Sequence, residues 1–240
     1  MFLATSLLCL FLQKETINPI EEKRMISPVV LFNRLNDKIR DQSISTEEAK
    51  KEIIRLIPQI KKYYAIPKTS TKYVFPVQGY TYKNIGGKNG NGYLESGYDY
   101  YKGNSHGGHA AQDIFIKDKN QDNIDDKTKM NVNVLSMSDG IVVAVADKWE
   151  TNSNLKGGKY IWIYEPSTSN LFYYAHNDSV NVGIGSIVNA GNKIATVGRT
   201  GLNAYKKRSP THLHISTLKV NETTGDVKPF NPYELLKKAK

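Results

Sequence analysis

Two imidazoles stand one residue apart in Ser209-Pro210-Thr211-His212-Leu213-His214-Ile215-Ser216, a run that reads as a strand. Successive strand side chains point to opposite faces, so His212 and His214 share one. The chain has only five histidines, and two of them sit here. Upstream, Gly108-His109-Ala110-Ala111-Gln112-Asp113-Ile114 offers an imidazole and a carboxylate that share a face if the segment is extended. Tyr173-Tyr174-Ala175-His176 ends an aromatic run with one more imidazole. Neutral imidazole and carboxylate are standard zinc ligands, and a catalytic zinc keeps three protein ligands and a position for water. His109, Asp113 and His214 can supply those three, leaving His176 and His212 to handle protons. Such a set suits amide hydrolysis: zinc polarises a carbonyl and brings the pKa of bound water to about 7. Imidazole, with an ordinary pKa of about 6.5, can take the proton.

The combination H-x-x-x-D, then Y-x-H at a strand end, then H-x-H after a Gly-rich turn resembles the lysostaphin/LytM-type zinc endopeptidases that cut peptidoglycan cross-links. The resemblance runs from about Phe75 to Val220 and uses four of the five histidines. It implies that His109, Asp113 and His214 hold one zinc ion and that His176 and His212 assist catalysis. It also implies a mainly β fold, an antiparallel sheet core of duplicated-hybrid-motif type, to which the upstream apolar pattern adds an N-terminal α-helical extension. None of the five positions is substituted, which argues against the family's metal-free members, modules that bind cell wall or activate a partner amidase. A zinc hydrolase of another amide substrate stays open beside the endopeptidase. No H-E-x-x-H and no G-x-S-x-G occurs, so other metalloprotease and serine-nucleophile patterns are disfavoured.

The elements that must bring these residues together are short strands between frequent turns. Asp139-Gly140 lies between Val132–Leu135 and Ile141–Val145 and predicts a hairpin. Lys159–Tyr164 and Leu171–His176 predict a second, with Phe172, Tyr174 and His176 on one face. Further strands are expected at 182–190 and 193–197, and an opening strand at Val74–Val77. Strands without alternating helices argue for antiparallel sheet. Tyr174 and Arg199 are candidate substrate contacts, the latter in a basic loop that leads into the H-x-H strand. Gly86–Gly92 reads as a flexible wall of the groove. Asp118, Asn120, Asp122 and Asp126 have oxygen side chains at calcium-loop positions, but Asn123 replaces the usual glycine and Lys129 the closing acid. An acidic turn is the alternative to calcium there.

The remaining sequence frames this core. Residues 1–24 are expected to be a signal or N-terminal segment, 25–70 a helical extension, 71–225 the metallopeptidase domain, and 226–240 a tail ending in a helix. Val30, Leu31, Leu35 and Ile39 make one apolar stripe and Ile53, Ile54, Ile57 and Ile60 another. Ser45-x-x-Glu48 is a capping-box start. This pair reads as packing or as a shield over the site; if it shields, a chain beginning near Lys72 is more active. Phe2–Leu12 resembles the apolar core of a secretory signal and is too short to span a membrane. Export to the periplasm, cell envelope or medium follows as the expectation. The lone Cys9 leaves no disulfide framework. A net charge of +10 and a pI near 9.4 suit peptidoglycan or a merely solvated basic surface. No specific nucleic-acid signature accompanies them.

Overall fold

A computed structural model of the chain describes residues 27–64 and 72–240. The expected signal segment lies outside the described residues. Two helices come first, α1 (Pro28–Arg40) and α2 (Thr46–Tyr63). Pro28 opens α1, where its missing N–H is harmless. At the start of α2 the Ser45 side chain accepts from the Glu48 amide and Glu48 reaches back to the Ser45 amide, the predicted capping box. Nine strands follow: β1 (Gln112–Phe115), β2 (Asn133–Leu135), β3 (Gly140–Ala146), β4 (Lys159–Glu165), β5 (Asn170–Val180), β6 (Ile187–Val188), β7 (Lys193–Val197), β8 (His212–Val220) and β9 (Val227–Phe230). A short helix, α3 (Tyr233–Lys238), closes the chain.

All strand pairs are antiparallel and belong to one sheet with the path β1-β8-β5-β4-β3-β6. β7 joins β5 to β2, and β9 pairs with β8. The fold is therefore the expected mainly β core, with the two helices that the apolar stripes predicted at its N-terminal side. The predicted β4–β5 hairpin is present. The hairpin at Asp139-Gly140 is not: β2 pairs with β7, whereas β3 pairs with β4 and β6. A turn signal is local, but the partner of a strand three residues long is chosen by the rest of the sheet. Val74–Val77 forms only a bridge from Val77 to Val134. The tail adds β9 before its helix, because Val227 reaches the apolar face that α2 also covers.

The two faces of the sheet have different fates. Ile161, Ile163, Phe172, Tyr174, Leu213 and Ile215 point into one core. Trp162, Tyr164, Leu171 and Leu218 point the other way, under the helices. Val29, Phe32, Leu35 and Ile39 of α1, with Ile53, Leu56, Ile57 and Ile60 of α2, cover that second face. The stripe is rotated from the predicted one, since Leu31 is only partly buried and Ile54 is 37% exposed. The helices cover part of this face, and an open cleft of about 420 Å³ occupies more of it.

Candidate functional site

Register in the sheet sets the position of each reactive side chain. Asp113 of β1 stands opposite His214 of β8, and Ala175 of β5 flanks His214 on the other side. Alternation along β8 sends Leu213 and Ile215 into the core, so His212, His214 and Ser216 line the cleft. His109 arrives by another route, a bridge that pairs it with Leu94 beside the sheet.

His176 reaches the cleft through an irregularity. Between Tyr174 and Asn177 strand β5 advances three residues while β4 advances two, from Ile161 to Lys159. The extra residue is a bulge, and His176 within it has φ of +65°. Here β5 leaves β8 and takes up β7: Ala175 still pairs with His214, but Asn177 pairs with Val197. The predicted alternation therefore breaks before His176. Tyr174 is fully buried, its hydroxyl accepting from the Met137 amide at 2.9 Å, and it is not a substrate contact. Tyr173 lines the cleft instead.

Three potential ligand atoms converge. His109 Nε2 lies 3.3 Å from Asp113 Oδ2, and His214 Nδ1 lies 3.1 Å from Asp113 Oδ1. One ligand atom from each of His109, Asp113 and His214 falls within 4.8 Å of the others, the one such group among the described residues. His212 Nε2 is 3.8 Å from Asp113 Oδ1. The His176 ring centre lies 4.9 Å from that of His212 and 5.3 Å from that of His214. All five side chains thus share one corner of the cleft.

Neighbouring oxygens decide which nitrogen of each ring carries the proton. His109 Nδ1 donates to the Gly92 carbonyl at 2.9 Å, His212 Nδ1 to the Pro210 carbonyl at 2.7 Å, and His176 Nδ1 to the Thr200 carbonyl at 2.8 Å. A carbonyl can only accept, so the Nε2 lone pair of each ring is left for the site. His214 presents Nδ1 instead, and its Nε2 lies 3.4 Å from Ser216 Oγ. This set fits a divalent cation: His109 Nε2 and His214 Nδ1 meet at the shared carboxylate, and the other nitrogen of each ring has an oxygen partner. The Gly-rich loop contributes Gly92 as that partner and does not line the cleft.

Charge follows the same geometry. Burial raises the Asp113 carboxyl, but donation from His109 and His214 in their protonated forms outweighs it and holds the group far below the usual carboxylate range. The hydrogen bond to Asp113 raises His109 against the opposing effect of burial. Burial lowers His214, with Asp113 opposing. Burial, together with the nearby rings of His212 and His214, pushes His176 well below the ordinary imidazole value. His176 is therefore neutral at physiological pH.

Other predicted contacts have structural roles. Arg199 is 8% exposed and donates to the Ser209 and Lys206 carbonyls and to Thr211 Oγ1, so it braces the loop before β8 and does not face substrate. Most oxygens of the expected calcium loop accept hydrogen bonds from protein donors. Asp118 accepts from the amides of Asp122 and Asn123 and from Thr211 Oγ1, Asp122 from the Ile124 amide and Asn120, and Asp126 from the Lys119 amide. This is the acidic turn, with side chains capping their own backbone. His106 lines the cleft, its ring centre 4.6 Å from that of Tyr98 and tilted 52° to it.

Sequence reading missed several lining residues. Ser216 was accessible, because the period of two that pairs His212 with His214 extends to it. Tyr173 was hidden by the bulge, and Asn36 and Arg40 of α1 had no sequence signal that would bring them to the cleft.

Comparison with known proteins gives the following likenesses. The model of peptidase family M23 matches residues 119–232, which contain His176, His212 and His214 and begin after His109 and Asp113. Among solved structures, the chain is similar to the catalytic domain of the antimicrobial peptidase lysostaphin from Staphylococcus simulans. Identity is 24% over 65% of this chain and 95% of that one, with a TM-score of 0.41. A candidate glycyl-glycine endopeptidase lytM from Ruminococcus gnavus shares 21% identity over 86% of each chain, with a TM-score of 0.46. A zinc-containing peptidase from Vibrio cholerae shares 21% identity over 68% of this chain, with a TM-score of 0.42. The chain spans 39% of that peptidase's length and 54% of the length of full lysostaphin.

Proposed function

We propose that this chain, which the model of peptidase family M23 matches over residues 119–232, is an exported zinc endopeptidase of that family that hydrolyses peptide bonds in peptidoglycan cross-links. The observation that carries the chemistry is the meeting of His109 Nε2, Asp113 and His214 Nδ1 beside two further imidazoles in an open cleft. The substrate class is supported by the peptidase family M23 match over residues 119–232 and by the H-x-x-x-D, Y-x-H and H-x-H motifs. Export is supported by the apolar run at Phe2–Leu12; no helix among the described residues is long and apolar enough to cross a membrane.

In this mechanism His109, Asp113 and His214 would hold the zinc ion. Zinc bound there supplies Lewis-acid polarisation of the scissile carbonyl and acidification of water. Asp113, ionised across the physiological range, contributes one negative charge and leaves the site net positive, which favours a developing oxyanion. His212 Nε2 takes the proton of the attacking water. The Pro210 carbonyl, accepting from Nδ1, stabilises the imidazolium that results. His176, neutral and with Nε2 unprotonated, is a second acceptor; it becomes a donor to the oxyanion or the departing amine only after gaining a proton. The same atom that receives the proton can then return it to the leaving group.

The test is to strip the protein with a chelator, confirm its fold by circular dichroism, and digest cross-linked peptidoglycan before and after adding zinc. Release of uncross-linked muropeptides is expected only with zinc. A metal-loaded, folded protein inactive on all cross-linked wall preparations would refute the proposal.

A further inference from the structure

The cleft carries information about which cross-link it accepts. Its floor beyond the histidines is aromatic: Trp162 and Tyr173 rings lie 4.4 Å apart, Tyr160 is 5.3 Å from Tyr173, and Tyr173 is 6.1 Å from the His214 ring. A floor of this kind gains from methyl and aliphatic groups laid on it. Glycine has no side chain to lay there.

The charge around the cleft is one-sided. Asp113 is the single carboxylate in its lining, and the ligand cluster uses it. Arg40 also lines the cleft, but Asp37 and Asp41 compensate it at 2.6 and 2.7 Å. Its guanidinium and the Asn36 amide both donate to the Tyr160 hydroxyl, which fixes the floor to α1. Lys156, on the opposite loop, is the remaining cation, exposed and without an ion pair among the described residues. Lys206, Lys207 and Arg208 follow Asn203 and Ala204 of the lining, and all three are exposed and equally free of ion pairs among the described residues. A substrate carboxylate within a Debye length of about 8 Å is attracted by such a rim, whereas an uncharged bridge is not.

We propose that the cleft selects cross-links whose junction bears a free carboxylate and a methyl or aliphatic side chain, as a D-alanyl link to diaminopimelic acid does, over an uncharged oligoglycine bridge. The selection rests on the endopeptidase function proposed above.

The experiment compares the zinc-loaded full chain on three synthetic substrates: a D-alanyl-diaminopimelyl cross-linked peptide, the same peptide with its junction carboxylate amidated, and a pentaglycine-bridged peptide. At least tenfold higher kcat/KM is expected for the first than for the third. Amidation is expected to raise KM severalfold with little change in kcat, and Lys156→Glu combined with Lys206→Glu to raise KM on the charged substrate likewise. Equal or better cleavage of pentaglycine, or an unchanged KM on amidation, overturns the selectivity and leaves the endopeptidase intact. Cleavage of none of the three overturns both.

Discussion

The helical pair is an integral part of the sheet's packing, and its removal is expected to unfold the chain rather than uncover the site. Ile57 is fully buried against the sheet. Ile57→Ala removes its methyl and methylene contacts and leaves a cavity, a change that costs about 2–5 kcal/mol. For a protein of this size each kcal/mol lowers Tm by roughly 2–4 °C, so a drop of about 4–20 °C is expected. Ile54, in the same helix but 37% exposed, is the control: Ile54→Ala should change stability by less than about 0.5 kcal/mol. Removing α1 and α2 together strips the partners Val29, Phe32, Leu35, Ile39, Ile53, Leu56, Ile57 and Ile60 from the sheet, each no more than 5% exposed. At about 1.5–3 kcal/mol per side chain the loss is comparable with the whole stability of a typical domain, about 5–15 kcal/mol. Differential scanning calorimetry on the two point variants and on a chain beginning at Lys72 measures this. A shortened chain that melts cooperatively near the full-length temperature and cleaves peptidoglycan as fast or faster would refute the packing argument.

Ser216→Ala should weaken zinc binding by about 10- to 100-fold in chelator competition, because it removes the oxygen beside His214 Nε2; kcat at saturating zinc should change little. His212→Ala should keep its zinc and lose about 10²- to 10⁴-fold in kcat, the usual range for a proton-transfer group, read by single-substrate kinetics with metal analysis. Glu222 joins α2 to the sheet through Lys61 at 3.0 Å, the Tyr164 hydroxyl at 2.8 Å and Ser169. Burial raises its carboxyl, but these hydrogen bonds outweigh burial and lower it. Its contribution is therefore complete above its unfolded pKa of about 4.3 and fades as pH falls through the lower folded value. Urea melts should show Glu222→Gln less stable than the wild type at pH 7, with the difference narrowing below about pH 4.

The convergence of His109, Asp113 and His214 with two further imidazoles was legible because such side chains are rare in this chain and their spacing follows strand alternation. His212 and His214 share a face for a reason visible in two residues of sequence. The antiparallel core was also legible, since short apolar runs between turns leave few other architectures. Tyr174 was assigned to the wrong face because alternation counts residues, and the bulge at His176 adds one that the count cannot see. Arg199 looked like a rim cation in a basic loop, but the carbonyls of that loop turn inward to meet it. The calcium-like spacing of Asp118 to Asp126 arises equally from side chains that cap a tight turn, and only their hydrogen bonds distinguish the two. The cleft wall formed by α1 depends on a contact between distant segments, Asn36 and Arg40 with Tyr160, to which local pattern gives no access.

Asp113 touches His109 and His214 and faces His212, so its removal tests the centre as a whole. The decisive measurement is mass spectrometry of muropeptides released from cross-linked peptidoglycan by the zinc-loaded wild type and by Asp113→Ala, each checked for folding. Newly uncross-linked products from the wild type and none above background from the variant are the predicted result. Undiminished release by a folded Asp113→Ala protein would contradict the metal-centred account.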